Sequence, residues 1–250
     1  MCDTPRLRLP QCEYQMRASA HIISSMNPIT KLVASWKILR AGVLLTKDPS
    51  KLNEVFDIAD TLFHSQRPMV EEMVLDVRKH EQGRRALADM PRVGDVRIER
   101  LRALPEGSLG RAFGDFLRSR NLDPAALPVR PAHDEAEWLN AHLYETHDLW
   151  HVVTGFETDV AGELGLQAFY AAQLTGKLPT VLLTIGLLNT FLYAHDDRTR
   201  RFDAIVRGWQ LGKQVRPLVG YRWAEAMERP LADVQADLGF PLPARPALAA

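Results

Sequence analysis

The sequence predicts an all-α fold, a single-domain multi-helix bundle, on three observations. Segments with helical apolar spacing follow one another from Ile29 to beyond Tyr221. Proline stands at the start of several of them, as at Pro49, Pro68 and Pro179, where its missing N–H is not needed. No linker or repeat divides the chain, and 250 residues suffice for one large core. The expected organisation is an N-terminal extension over 1–27, a helical domain over 28–240 and a flexible tail over 241–250, rich in proline.

Helices are expected over 29–46, 49–64, 68–80, 108–120, 135–154, 158–175, 179–194 and 198–214, with short helices after Tyr221. The first puts Ile29, Leu32, Val33, Trp36, Leu39, Val43 and Leu44 on one stripe, the pattern of a core-facing helix. It also lies in a stretch with no acid between Glu13 and Asp48 but with Arg17, Lys31, Lys37, Arg40 and Lys47, a bias suited to an anionic membrane surface. The turn Leu104-Pro105-Glu106-Gly107-Ser108 leads into the fourth helix, whose free N–H groups can receive an anion. Arg85 and Arg130 are candidate cationic partners for the same anion.

The helix over 135–154 has Asp134 as N-cap and Glu137 to complete a capping box. Trp138, Leu139, Leu143, Leu149, Trp150 and Val153 share its apolar arc, while Asn140 and Tyr144 project towards the side of His147. The stretch 178–194 carries no charge, yet it is slightly short for a membrane span and polar at Thr180, Thr184, Asn189 and Thr190. A buried helix is expected there, with His195-Asp196-Asp197 as its polar cap.

Chemistry concentrates in His147-Asp148-Leu149-Trp150-His151 and Glu163. At about 100° per residue, His147, Asp148 and His151 fall within one arc of roughly 100° and face a common point. Glu163 cannot join them on the same straight helix, because twelve residues beyond His151 it would lie roughly 18 Å along the axis. Metal ligands sit about 2 Å from their ion. The chain must therefore bend, and Thr154-Gly155 supplies a helix stop while Thr158-Asp159 supplies a new N-cap. Two imidazoles and two carboxylates suit Zn²⁺, with Fe²⁺ or Mn²⁺ also permitted. The same His-Asp pair occurs in the metal-dependent phosphohydrolases named after it, which need an earlier lone histidine and a later aspartate.

Lys+Arg and Asp+Glu both total 31, and no basic-aromatic motif of a nucleic-acid binder is present, so no nucleic-acid partner is expected. The two cysteines, Cys2 and Cys12, exclude a disulfide framework and fit a reducing compartment. The first residues lack the apolar core of a secretory signal and make a poor transit peptide, so a bacterial cytoplasmic protein is expected.

The motif HDxxHx11E resembles that of the fourth coenzyme Q biosynthesis protein family. So do Gly83-Arg84-Arg85 with Leu87, the run Leu104 to Gly110, Tyr144-Glu145-Thr146 ahead of the motif and Gly162-Glu163 within it. The likeness covers roughly 29–240. Where that family is expected to carry an arginine-rich approach to the motif, this chain has Ala141-His142-Leu143-Tyr144-Glu145. The resemblance implies ubiquinone biosynthesis, with metal-dependent loss or oxidative replacement of the C1 carboxylate of a polyprenylated hydroxybenzoate. His147, Asp148, His151 and Glu163 would then be both metal ligands and catalytic residues, and Tyr144, Arg85 and Arg130 would bind substrate. It further implies a polyprenylated aromatic lipid as ligand, other quinone-biosynthesis proteins as partners, peripheral contact with the inner face of the membrane, and a possible homodimer. Two alternatives stand beside it: a non-catalytic prenyl-lipid scaffold with a structural metal, since four protein ligands close a tetrahedral ion, and a metal-dependent hydrolase.

Overall fold

The computed structural model describes residues 28–124 and 129–241. The proposed extension over 1–27, with both cysteines, and the tail from 242 lie outside the described residues. The helices are α1 (Pro28–Lys47), α2 (Leu52–Ser65), α3 (Arg67–Arg78), α4 (Glu81–Asp89), α5 (Ile98–Arg102) and α6 (Leu109–Ser119). They continue with α7 (Glu135–Thr154), α8 (Val160–Gln173), α9 (Lys177–Tyr193), α10 (Arg198–Gln214), α11 (Trp223–Ala226) and α12 (Leu231–Leu238). A 3-10 turn, His195–Asp197, joins α9 to α10. Among the described residues there is no strand, and the one isolated bridge pairs Ser108 with Pro230.

The expected helices all form, and α7 and α10 have the expected ends. Two were not anticipated. In α4 only Gly83, Ala86 and Leu87 are buried, and in α5 only Leu101, too few apolar positions to show a period.

The main core draws on α3 to α8 and α10 to α12, with Trp138, Trp150, Trp223 and Phe169 fully enclosed. Each such aromatic removes roughly 150–250 Å² from water, about 4–6 kcal/mol at 25 cal/mol per Å². The tightest packing in it is α8 against α10. A Cβ on Gly208 would overlap the Gly165 carbonyl, and one on Gly212 would stand 2.8 Å from the Phe169 carbonyl, so the two backbones approach directly.

A second, smaller core joins α1, α2 and α9 through Ala41, Leu45, Ile58 and Leu62, with Val181, Leu182 and Ile185 packed against it. Two expectations fail here. The α1 stripe does not face the core: Ile29, Leu32, Val33, Trp36, Leu39 and Val43 are exposed, and Ala41 and Leu45 are buried instead. Nor is α9 enclosed, for Pro179, Asn189 and Thr190 are buried while Leu187, Leu188, Phe191, Leu192 and Tyr193 are exposed. The reason is the same in both. Helix α1 rests on α2 and α9 and helix α9 on α1, α2 and α8, and no described element lies over the side of either that carries the exposed apolar residues. No single described helix is long and apolar enough to cross a bilayer; α9 and the following helix meet that standard only as a pair bent by 119°.

The two cores are tied by a buried polar knot. Arg201 donates to Asn189 Oδ1 (2.7 Å), Thr190 Oγ1 (3.0 Å) and Asp197 Oδ2 (2.9 Å), while Asn189 Nδ2 donates to the Thr46 carbonyl (2.8 Å). The expected polar cap at His195-Asp196-Asp197 therefore holds the end of α9 through Asp197.

Candidate metal centre

The centre is built where α7 stops and α8 begins. Gly155 adopts the left-handed conformation (φ 68°) and its N–H closes on the His151 carbonyl at 2.8 Å. Other carbonyls of the last turn are also satisfied: Arg207 donates to Thr154 O (2.7 Å) and Gln235 to Val153 O (2.9 Å). Asp159 then caps α8, accepting from the Gly162 N–H at 2.8 Å. A Cβ on Gly162 would overlap the Glu157 carbonyl, so glycine lets the turn fold against the first turn of α8. At the other end of α7, Asp134 accepts from Glu137 N (2.8 Å), but Glu137 reaches back to His133 N (2.9 Å) rather than to Asp134, which widens the expected capping box.

This reversal brings His147, His151 and Glu163 together, with one donor atom from each lying within 4.8 Å of the others. His151 is wholly buried. Its Nδ1 lies 2.9 Å from the Phe156 carbonyl, which assigns the proton there and leaves Nε2 with its lone pair. Nε2 is 3.1 Å from Glu163 Oε1 but off the line that a hydrogen bond requires, so this buried nitrogen has no aligned partner. His147 Nε2 is 3.8 Å from Glu163 Oε2, and its Nδ1 is 3.4 Å from the Tyr170 hydroxyl. Both rings thus turn Nε2 towards one carboxylate. An orphaned buried imidazole nitrogen beside a second imidazole and a carboxylate fits a divalent ion, and the outer nitrogen of each ring already has an orienting partner.

Electrostatics agree with the geometry. Burial pulls the His147 pKa below its ordinary value, against the attraction of Glu163. For His151 burial also pulls down, but Glu163 and the Phe156 carbonyl outweigh it and the pKa is raised. Burial would raise Glu163, yet the two histidines hold it below the usual carboxylate range. The Tyr170 hydroxyl, buried and facing Glu163 and Asp148, stays protonated far above neutrality. The centre is not sealed: the side chains of His147 and Glu163 keep 34% and 36% of their surface open.

Asp148 stands outside the three-residue cluster. It is half-buried, a further 100° round α7 from His147, and its charge still acts on His147, His151 and Tyr170. Tyr144 and Arg130 meet one turn before His147, with the Arg130 guanidinium 3.6 Å above the Tyr144 ring. Asp60 of α2 joins them, 2.7 Å from Arg130 and 3.4 Å from the Tyr144 hydroxyl, while Arg130 Nε is buried without a partner. Arg85 is not brought there; it is exposed on α4 and bonded to Glu81 at 2.9 Å. The expected anion site at the start of α6 does not form, because Leu109 N and Gly110 N donate to the carbonyls of Arg229 and Met227, both at 2.8 Å. Sequence reasoning missed Tyr170 and the Phe156 carbonyl. Tyr170 was within reach of the spacing, since it follows Glu163 by two helical turns on the same face.

These features define an all-α protein with two histidines and a carboxylate gathered where two helices meet at a glycine turn. The chain belongs to the family described as Coenzyme Q (ubiquinone) biosynthesis protein Coq4, whose model matches residues 27–244. It is 30% identical over 171 residues to the mitochondrial ubiquinone biosynthesis protein COQ4 of Yarrowia lipolytica, covering 66% of this chain and 64% of that protein. The corresponding Talaromyces stipitatus protein is 32% identical over 168 residues, 64% of this chain and 56% of the relative. The chain thus spans less than two thirds of the length of these relatives. A crystal structure of a candidate ubiquinone biosynthesis protein from Nostoc punctiforme superposes with a TM-score of 0.70 at 27% identity, covering 82% of this chain and 97% of that one.

Proposed function

We propose that this protein acts in ubiquinone biosynthesis by cleaving the C1–carboxylate bond of a polyprenylated hydroxybenzoate at the His147, His151 and Glu163 centre, the carboxylate leaving as CO2 and a proton taking its place on C1, with Asp148 swinging in to complete the donor set. Family membership supports the pathway. The observation that carries the chemistry is the open side of the cluster at His147 and Glu163, which leaves a substrate head group a route to it. A divalent ion there would supply Lewis-acid stabilisation of developing negative charge, and zinc is the first candidate, with iron or manganese behind it. Tyr144 and Arg130 would hold the anionic head group one turn away, and Tyr170 would keep the His147 ring in position.

A second reading concerns location. The exposed α1 stripe, on a helix carrying Lys37 and Arg40 and no acid, supports peripheral contact with an anionic membrane.

The test follows label released from a C1-carboxyl-labelled prenylated hydroxybenzoate under air with divalent metal. Wild type should release it, and Glu163→Gln and His147→Ala should fall by about 100-fold or more, the scale of losing a group at a charge-stabilising centre. Equal release by all three removes this centre from catalysis. Lipid binding without any release by wild type favours the scaffold.

A further inference from the structure

Two arginines from other parts of the chain grip the segment 155–159 between α7 and α8. Arg207 of α10 lays its guanidinium over the Phe156 ring, 4.4 Å from the centroid, and donates through Nη2 to the Thr154 carbonyl at 2.7 Å. Arg120, which follows α6, lies over the Phe116 ring at 4.1 Å and pairs with Glu157 of the same segment. The Phe116 ring in turn stacks on the His151 imidazole, with centroids 5.7 Å apart.

The grip of Arg207 bears on one main-chain atom. The Phe156 carbonyl, 2.9 Å from His151 Nδ1, keeps the ring proton on that nitrogen and leaves Nε2 as a lone pair beside Glu163. No helical ladder holds that carbonyl, so its place depends on the Phe156 side chain, which is 4% exposed. A Cβ on Gly165 would stand 2.4 Å from Phe156 Cε1, so a glycine in α8 is what admits the ring. The residue after Arg207, Gly208, meets the Gly165 carbonyl. One point of α10 thus sets both the partner of His151 and the backbone of the helix that carries Glu163.

If the Phe156 carbonyl drifts, the imidazole has another arrangement open to it. The proton can move to Nε2 and, after a small turn of the ring, be donated to Glu163 Oε1, now 3.1 Å away. That pairing satisfies both side chains and removes the lone pair that a metal needs. Losing the outer partner of a ligating histidine weakens metal binding by about 10–100-fold.

We infer, on the reading of this cluster as a metal site, that Arg207 is its positioning residue: through the Phe156 ring and the Thr154 carbonyl it holds the Phe156 carbonyl on His151 Nδ1 and keeps the imidazole in the tautomer that can ligate. A cation at this place also suits the C-terminal end of α7, which is support of the helix and not of the centre. Gln235 gives that same end support through the Val153 carbonyl at 2.9 Å, and so separates the two roles.

The experiment reads which ring nitrogen of His151 carries the proton, by long-range proton–nitrogen NMR on metal-free, histidine-labelled full chain. It is run at a pH well above the histidine range, so that the ring is neutral. The His151 signal is identified by its loss in His151→Ala. Wild type should carry the proton on Nδ1. Arg207→Met, at an exposed position, should shift it towards Nε2 and weaken zinc binding about tenfold in chelator competition. Gln235→Ala should lower the unfolding midpoint and leave both readings as in wild type. The inference is overturned if Arg207→Met keeps the wild-type nitrogen pattern, or if Gln235→Ala alters it as much. Because the tautomer is read without metal, a wild type that binds no zinc removes the metal-centre reading alone, and the nitrogen spectrum still decides whether Arg207 sets the ring.

Discussion

The α7–α8 region and the α1–α9 flank are both made of apolar-rich helices, but they use their side chains in opposite ways. In α7 every large apolar residue of the expected arc is buried or half-buried, and two of the remaining side chains, His147 and His151, converge with Glu163 of α8 on one point. In α1 and α9 most large apolar side chains face outward, and what is buried includes Thr46, Asn189 and Thr190. The difference is the number of neighbours. Helix α7 contacts α3, α4, α6, α8 and α12, whereas α1 contacts chiefly α2 and α9. An enclosed helix can hold a donor set rigid enough for a metal. A helix covered on one side carries an interaction surface.

The sharpest way to break this contrast is at the centre. His151→Ala should reduce bound divalent metal from stoichiometric to background after dialysis, measured by elemental analysis, while circular dichroism shows the fold retained. Full occupancy in the folded variant would sink the site assignment. Stability differences come next. Arg201→Met removes the buried donor that Asn189, Thr190 and Asp197 share, and should cost about 1–3 kcal/mol in denaturant unfolding, the range for leaving buried acceptors unpaired, since Asp197 keeps Arg200. A loss below about 1 kcal/mol would show that the two cores are not coupled through this knot. Gly208→Ala, which drives a Cβ into the Gly165 carbonyl, should cost about 1–3 kcal/mol and lower metal affinity by displacing α8.

A pH effect belongs to the buried region. Burial, then the charge of Arg92, lowers the His142 pKa from 6.5 to about 3. The unfolded chain therefore binds a proton that the folded one refuses. His142's contribution is fully present above pH 6.5 and is lost as pH falls towards 3, with a slope of at most about 1.4 kcal/mol per pH unit. Chemical denaturation of wild type and His142→Gln across that range should show the slope reduced in the variant. At the flank the effect is on binding rather than on stability. Replacing Lys31, Lys37 and Arg40 with glutamine should weaken binding to anionic liposomes by roughly 1 kcal/mol per charge, and added salt should do the same to wild type. Wild type that ignores such vesicles at low salt removes the membrane reading.

The sequence by itself determined the helical class, most helix positions and the three side chains, His147, His151 and Glu163, that the fold gathers at one point. Those depend on local rules: the 3.6-residue period, the left-handed Gly155, the Asp134 and Asp159 caps, and a spacing that demanded a bend between His151 and Glu163. Only the tertiary structure decided the rest, because each remaining answer depends on what a distant segment places opposite a side chain. It set Tyr170 and Phe156 behind the histidines and joined Asp60 to Arg130 and Tyr144. It filled the α6 N–H groups with carbonyls from Met227 and Arg229, and left the α1 stripe uncovered. Periodicity names the face a helix offers; whether that face is buried depends on which other helix arrives to cover it.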